Sequence, residues 1–138
     1  MSKTSMYLMA ATLIGAIALA ACAGGANTSA ALDDTSWSLV EVNGQQPAAP
    51  ATLAFNAAEG TAGGSNGCNS YSGSYTLAGE TLQFGELVQT LIGCEEAVAQ
   101  QEQTFMSVLT NLTGYTLESG RLTLRAGDGA LVFERAAE

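Results

Sequence analysis

The sequence predicts an α+β fold in which an antiparallel β-sheet curls into a partial barrel and one α-helix lies between its last strands. Two observations lead to this prediction. From about residue 34 onward, short segments with alternating apolar and polar residues are separated by turn-forming residues, as in strands. A single segment, about residues 95–112, has an apolar period of three to four residues, as in a helix. Strands, one helix and further strands in this order are typical of an α+β domain.

The strands are placed by the alternation of apolar residues and by the turns between them. The first has Trp37 and Leu39 on one face and ends at Asn43-Gly44, which is a strong turn signal. Gly63 beside Gly64 indicates a bulge or a close approach of two backbones. The predicted strands are residues 36–42, 51–56, 61–65, 71–78, 81–84, 87–92, 115–118, 121–125 and 130–134.

The predicted helix carries a carboxylate on its apolar side. The stripe expected to face the core consists of Val98, Glu102, Phe105, Leu109 and Leu112. A buried carboxylate is costly unless it is hydrogen-bonded or paired. Glu102 is therefore either the carboxylate of a ligand pocket or a structural acid that accepts backbone N–H groups or pairs with an arginine, and we favour the structural role. Trp37 is likewise expected in the core rather than as a platform for a ligand.

The N-terminus has the pattern of a bacterial export signal. Lys3 precedes the uncharged apolar residues 6–18, and Leu-Ala-Ala-Cys follows at residues 19–22. A cysteine in this position is the usual site of lipid attachment, so we predict lipidation on Cys22. The alternatives are an ordinary signal peptide cleaved after Ala21 and a membrane-spanning helix. The spanning helix is disfavoured because the apolar run is shorter than the roughly 20 residues that a bilayer requires.

These patterns divide the chain into three parts. Residues 1–21 are predicted to be the lipoprotein signal peptide, residues 22–33 the lipidated cysteine with a flexible tether of small and polar residues, and residues 34–138 the folded domain. The protein is accordingly expected in the bacterial cell envelope, anchored to the membrane through Cys22, on the periplasmic side of the outer membrane.

The other two cysteines are expected to form a disulfide. With Cys22 lipidated, Cys68 and Cys94 remain as an even pair in an oxidising compartment. Such a bond would stabilise the domain by about 3 kcal/mol because it closes a loop of about 26 residues. Two buried free thiols are the alternative. No metal site is expected, because two cysteines without any histidine cannot supply four soft ligands.

Composition excludes several classes of function. Without residues 1–21 the chain has three bases against thirteen acids, a formal net charge of −10, which argues against nucleic acid as a partner. We favour solubility as the role of this charge, and the attraction of cationic partners is the alternative. The absence of histidine removes Ser-His-Asp and Cys-His catalysis. No pair of carboxylates is singled out by its spacing. The chain is therefore expected to be neither an enzyme nor a carrier of a cofactor.

Taken together, these residues resemble the META domain family, which includes the heat-inducible HslJ-like lipoproteins. The resemblance covers about residues 34–135, and its most specific part is residues 67–75, the sequence GCNSYSGSY. The motif positions are Trp37, Asn43, Gly44, Gly67, Cys68, Asn69, Tyr71, Gly73, Tyr75, Thr90, Cys94, Glu102 and Phe105.

The resemblance implies a β-rich fold with one helix in a secreted or envelope protein, similar in shape to secretin pilot lipoproteins. It implies no catalytic residues, and a role in stress tolerance or envelope maintenance. This chain departs from the family where Ser70 replaces a frequent arginine and where residues 91–93 replace a commonly basic, methionine-containing run. A family function that depends on a basic rim beside the cysteines is therefore not expected here.

The expected function is that of a non-enzymatic envelope lipoprotein that acts through binding. Its partners are expected to be the membrane, through the lipid anchor, and an unknown protein or small molecule, with the chain itself a monomer. Two alternatives remain open. One is an acidic module that binds a cationic protein, as lysozyme inhibitors do, and the other is a pilot-like lipoprotein that binds lipid or peptide.

Overall fold

The computed structural model describes residues 31–137, so the predicted signal peptide, the lipidation of Cys22 and most of the predicted tether lie outside the described residues. Eight strands and one helix are formed. In chain order they are β1 (Ser36–Val42), β2 (Thr52–Asn56), β3 (Thr61–Ser65), β4 (Ser70–Ala78), β5 (Thr81–Gln89), α1 (Glu96–Thr110), β6 (Gly114–Glu118), β7 (Arg121–Ala126) and β8 (Gly129–Arg135). No helix in this part of the chain has the length and hydropathy of a membrane span.

All eight strands belong to one antiparallel sheet in the order β5-β4-β3-β2-β1-β8-β7-β6. The sheet curls into a half-barrel, and α1 packs against β1, β5, β7 and β8. The predicted α+β fold, with its curled antiparallel sheet and single helix, is therefore confirmed.

The prediction of separate strands at residues 81–84 and 87–92 was wrong. Residues 81–84 and 87–89 both belong to β5, which pairs with β4 along nearly its whole length. The register of the β4–β5 pair shifts between Gly73 and Tyr75 of β4. At this point β5 has one extra residue, so Gly85 and Glu86 form a bulge. In the sequence this bulge resembles a turn because it also interrupts the alternation of apolar residues. Residues 90–95 form no strand.

Asn43 and Gly44 form the predicted turn after β1. Their φ angles are +50° and +78°, and two consecutive positive values are typical of the tight hairpin turn that favours Asn-Gly. Asn43 also connects this turn to β8, because its backbone N–H donates to the carbonyl of Ala130 at 2.9 Å and its Oδ1 accepts from the N–H of the same residue at 2.9 Å.

The core lies on the concave face of the sheet, beneath α1. Phe105 of the helix is fully buried, and its ring meets the edges of Tyr71 and Phe133 with centroids 5.2 and 5.9 Å away. Trp37 is also fully buried, and its indole N–H donates to Thr35 Oγ1 at 2.7 Å. The structure therefore places Trp37 in the core, as we favoured.

The buried face of α1 differs in part from the predicted stripe. Its buried residues are Val98, Gln101, Phe105, Val108 and Leu109. Glu102 is instead only half-buried, and Leu112 follows the end of the helix. Positions 98, 101, 105 and 108 also follow helical spacing. This stripe was not predicted because the side chain of Gln101 is polar, and only apolar residues were used to identify the buried face.

The folded part begins before Asp34. Leu32, the only large apolar residue among residues 23–33, is fully buried, and its carbonyl accepts a hydrogen bond from Thr35. Asp33 accepts a hydrogen bond from the hydroxyl of Tyr75 at 2.8 Å. A single apolar residue has no periodicity, so these positions were assigned to the tether.

The two ends of the sheet carry different parts of the chain. At one end β1 begins and β8 ends, and Arg135 donates to the carbonyl of Ala31 at 3.1 Å; we call this the terminal end. At the opposite end β4 begins and β5 ends, beside Cys68 and Cys94; we call this the disulfide end. β4 runs from the disulfide end to the terminal end, and its nine residues span roughly 25–30 Å at about 3.3 Å per residue.

Candidate binding site at the disulfide end

A Cys68–Cys94 disulfide is formed, as predicted. Cys68 lies in the turn between β3 and β4, where the N–H of Asn66 donates to the carbonyl of Asn69 at 3.0 Å. Cys94 lies two residues before α1. The bond therefore fixes the start of the helix, and the loop of residues 90–95 that precedes it, to the beginning of β4.

Asn69 holds the same loop through hydrogen bonds. Its Oδ1 accepts from the hydroxyl of Thr90 at 2.8 Å and from the N–H of Ile92 at 2.7 Å. Its Nδ2 donates to the carbonyl of Ile92 at 3.2 Å and to Oε1 of Glu102 at 2.9 Å. Because Asn69 is itself almost fully buried, the amide fixes the backbone at Ile92 from both sides.

Two further buried amides complete this arrangement. Asn66 accepts at Oδ1 from the N–H groups of Cys68 and Asn69, at 3.0 and 2.7 Å. Gln101 reaches from α1 to the loop before β2, where its Oε1 accepts from the N–H of Ala48 at 2.7 Å, and its Nε2 donates to the carbonyl of Asn66 at 3.1 Å. The helix, the turn and the β1–β2 loop are therefore connected through buried polar groups that are all satisfied.

Glu102 belongs to this hydrogen-bonded network rather than to a pocket. Its carboxylate accepts from the side chain of Asn69, so the structure supports the structural role that we favoured. The kind of partner was predicted wrongly, since we expected backbone N–H groups or an arginine. The tertiary fold places an asparagine of a distant turn opposite the carboxylate instead.

The family-motif residues at this end shape the backbone. Gly67 has a φ angle of +102°, and a Cβ there would collide with the side-chain amide of Gln101. A Cβ on Gly73 would collide with the carbonyl of Glu86 at the bulge of β5. The hydroxyl of Tyr71 donates to the carbonyl of Thr52 at 2.8 Å. These positions pack the strands and the turn together.

The loop held by this network carries an exposed apolar patch. The large apolar side chains that the described residues leave exposed are Val88, Leu91 and Ile92, with 61%, 89% and 63% of their surface accessible, and we call them the apolar patch. Val88 lies in the last part of β5, and Leu91 and Ile92 follow within four residues of it in the loop after the strand. Single exposed apolar residues are ordinary, but a cluster on one loop indicates an interaction surface.

An open groove lies next to the patch, on the outer face of β4 and β5. Its volume is about 360 Å³. It is lined by Ser70, Tyr71, Ser72, Val88, Gln89 and Thr90. The lining is mostly small and polar, with Val88 as the apolar wall, so the groove continues the apolar patch along the sheet.

The charge around the patch has one sign. Glu86 lies at the bulge of β5, and Glu95 and Glu96 follow the disulfide at the start of α1; all three are exposed. Residues 67–112 contain no lysine or arginine. The three arginines of the described residues lie on β7 and β8, and one of them, Arg121, is paired with Glu41 at 2.7 Å.

Sequence reasoning missed Asn66, Gln101 and the apolar patch as parts of one site. Residues 91–93 were noticed only as a departure from the family. Ile92 and Leu91 continue the apolar character of β5, and alternation assigned them to a strand, where one of them would face the core. Charge gave no local signal either, because residues 4–120 contain no base and the acids of this region are not set apart from the others in the sequence.

Tyr75 lies towards the terminal end, and its ionisation is expected to make the stability of the domain depend on pH in the alkaline range. Burial, the hydrogen bond to Asp33 and the negative charges of Asp33 and Asp34 raise the pKa of Tyr75 from 10.0 to about 12. Because the folded-state pKa lies above the unfolded one, this stabilisation is complete below about pH 10 and is lost as the pH rises to about 12. Urea unfolding is expected to show a decline in stability above about pH 10 that is shallower in Tyr75→Phe.

Asp33→Asn is the matched control, because it keeps an oxygen acceptor for Tyr75 and removes the negative charge. The pKa of Tyr75 should then fall towards its ordinary value while staying above it, since burial is the largest cause of the shift. Equal slopes of stability against pH in the parent protein and in Tyr75→Phe would contradict this assignment.

Comparison with known proteins agrees with this architecture. The META domain profile matches residues 30–138. An NMR structure of a protein from Burkholderia xenovorans is 30% identical with a TM-score of 0.66, and the alignment covers 80% of this chain and 88% of that one. A second NMR structure, 23% identical with a TM-score of 0.66, covers 76% of this chain and 92% of its own and shares the fold. No curated protein matches the chain. The chain belongs to the META domain family.

Proposed function

We propose that the chain is a non-enzymatic lipoprotein of the bacterial envelope that acts by binding a partner at the disulfide end, in support of stress tolerance or envelope maintenance. The export pattern before Cys22 supports the lipid anchor. The apolar patch is the observation that carries the binding role.

The patch lies on a segment that is held by the hydrogen bonds of Asn69 and by the disulfide. Asn69 binds both the N–H and the carbonyl of Ile92, so the side chain of Ile92 points away from the amide. The disulfide fixes the following residues. Without these constraints, the loop could fold its apolar side chains against the sheet, where burial is worth about 25 cal/mol per Å². Exposed apolar side chains on a rigid loop are therefore explained best by a partner that covers them.

The position of the patch fits a partner in the aqueous space of the envelope. Ala31 lies at the terminal end, and the eight residues that separate it from Cys22 allow a reach of at most about 30 Å. A lipid on Cys22 would thus join the membrane to the terminal end, and the disulfide end is the part of the domain farthest from this attachment. This arrangement favours a protein or peptide partner over lipid.

A non-enzymatic role is supported by the state of the polar groups at the site. Asn66, Asn69 and Gln101 use their amides to hold the backbone, and Glu102 is engaged by Asn69. None of these groups is turned towards the groove beside Val88 to meet a substrate.

The proposal predicts a site-specific contact in living cells. A photoreactive phenylalanine analogue at Leu91 is expected to form a discrete cross-linked adduct with a protein on illumination. The same analogue at Glu59, which is exposed in the turn between β2 and β3 at the terminal end, is the matched control and should form none. Metabolic labelling with a fatty acid should label the parent protein and leave Cys22→Ala unlabelled.

These outcomes separate the parts of the proposal. Adducts of equal yield at Leu91 and Glu59 would contradict binding at the disulfide end. An adduct with lipid at Leu91 would favour the pilot-like alternative instead. Absence of the fatty-acid label from the parent protein would contradict the lipid anchor.

A further inference from the structure

We propose that the partner segment which docks at the disulfide end is cationic and carries apolar side chains, so that it covers the apolar patch with its apolar side and meets the surrounding acids with its basic side. This inference rests on the proposed function and specifies the chemistry of the partner.

The apolar requirement follows from the patch itself. Leu91 has nearly its whole side chain in solvent, and Val88 and Ile92 flank it with about three fifths of theirs. A partner gains most where it removes such surface from water, since full burial of one Val, Leu or Ile side chain is worth about 1.5–3 kcal/mol. Apolar contact is therefore expected to supply the affinity, and the groove beside Val88 offers room for one further side chain.

The cationic requirement follows from the acids around the patch. Glu86, Glu95 and Glu96 are exposed within a few residues of it along the chain, and residues 67–112 supply no base to neutralise them. Salt bridges within the described part of the chain involve Arg121, which lies at the terminal end. The carboxylates at the disulfide end therefore remain available for basic groups of a partner.

The same charge argues against two other occupants. A second copy of the chain would bring Glu86, Glu95 and Glu96 against their own counterparts, and like charges brought together across an interface are costly. An anionic membrane surface would be repelled for the same reason, since its headgroups attract basic segments.

β5 offers such a segment a backbone edge as well. It is the outermost strand of the sheet and is hydrogen-bonded to a neighbouring strand on the side of β4. Natural edge strands are commonly protected by charged residues and bulges, and β5 has both at Gly85 and Glu86. The last residues of β5, next to Val88, lie beyond this protection and border the apolar patch.

The test measures binding of labelled peptides to the full-length protein purified from the cells that export it and inserted through its lipid anchor in phosphatidylcholine nanodiscs. Empty nanodiscs are the blank. Three peptides of equal length are compared by fluorescence anisotropy: one alternates arginine with leucine, one replaces arginine with glutamate, and one replaces leucine with serine. The first is expected to bind at least about tenfold more tightly than either of the others, and high salt should weaken it.

Protein variants locate the binding. Leu91→Ser with Ile92→Ser is expected to weaken binding of the arginine-leucine peptide by at least about tenfold, which corresponds to about 1.4 kcal/mol. Glu95→Gln with Glu96→Gln should weaken it severalfold and reduce its dependence on salt. Glu59→Gln with Glu118→Gln removes the same charge from exposed positions at the terminal end and should leave binding unchanged. Thermal melts of each variant confirm that the fold is kept.

The outcomes are distinct from those of the proposed function. Equal loss in both glutamine pairs would show that binding follows net charge and would overturn the site. Equal binding of the glutamate and arginine peptides would overturn the cationic partner. A dimer that disappears on Leu91→Ser would assign the patch to a second copy. A cross-linked adduct at Leu91 in cells, together with no binding of the arginine-leucine peptide, would leave the proposed function standing and overturn only the chemistry of the partner.

Discussion

Asn69→Leu is expected to lower the free energy of unfolding by about 3–5 kcal/mol, because four hydrogen bonds of one buried amide, each worth about 0.5–1.5 kcal/mol or more with a charged partner, are lost at once. The side-chain amide binds the hydroxyl of Thr90, both backbone polar groups of Ile92 and the carboxylate of Glu102. Leucine has a similar volume, so the loss comes from unsatisfied polar groups rather than from a cavity. Each buried group left without a partner costs about 1–3 kcal/mol, and water reaching the loop recovers part of this.

Denaturant unfolding followed by tryptophan fluorescence measures the effect, because Trp37 is buried in the same core. Asn111→Leu is the matched control. Asn111 is exposed at the end of α1, and its side chain donates to the carbonyl of Ser107 at 3.0 Å. Its replacement should cost no more than about 1 kcal/mol. Similar losses in the two variants would show that Asn69 does not organise the disulfide end.

Phe105→Ala is expected to lower the free energy of unfolding by about 3–5 kcal/mol, because it removes a fully buried aromatic ring from the centre of the domain. The ring meets Tyr71 of β4 and Phe133 of β8 edge to face. Phe105 thus joins α1 to two strands that are not neighbours in the sheet. The cavity left by alanine cannot be filled without moving the helix, which also carries Gln101 and Glu102.

Met106→Ala provides the comparison for this variant, since Met106 is the next residue of α1 and is only partly buried against the core. It should lose clearly less stability than Phe105→Ala in the same denaturant series. A loss below about 1.5 kcal/mol for Phe105→Ala would mean that the helix is not anchored through this ring.

The fold was largely predictable because its elements have local signals. β1 and β3 were predicted with their observed bounds, since apolar alternation and turn residues such as Asn43-Gly44 depend on neighbours in the chain. β5 was predicted as two strands because a bulge at Gly85 interrupts alternation in the same way as a turn. The distinction depends on the opposite strand, β4, whose pairing continues past the bulge.

The site was predictable only in its covalent part. The pairing of Cys68 with Cys94 followed from the number of cysteines and the predicted compartment. The partner of Glu102 did not, because the carboxylate and Asn69 are 33 positions apart in the chain. The exposure of Leu91 could not be predicted from the sequence either, since an apolar residue next to a strand is ordinarily expected to be buried.

By itself, the sequence determined the α+β class, most of the strand segments, the helix segment, the cysteine pair, the family and the absence of bases from residues 4–120. These follow from composition, spacing and local conformational preference. The tertiary structure alone decided which side chains meet across the fold. Asn69 binds Ile92 and Glu102, and Gln101 binds the β1–β2 loop. The tertiary structure also decided that the apolar patch stays exposed and does not join the core. Such contacts depend on the register of the strands and on the packing of α1. Both are determined by the burial of residues that are distant in the chain, so short stretches of sequence do not encode them.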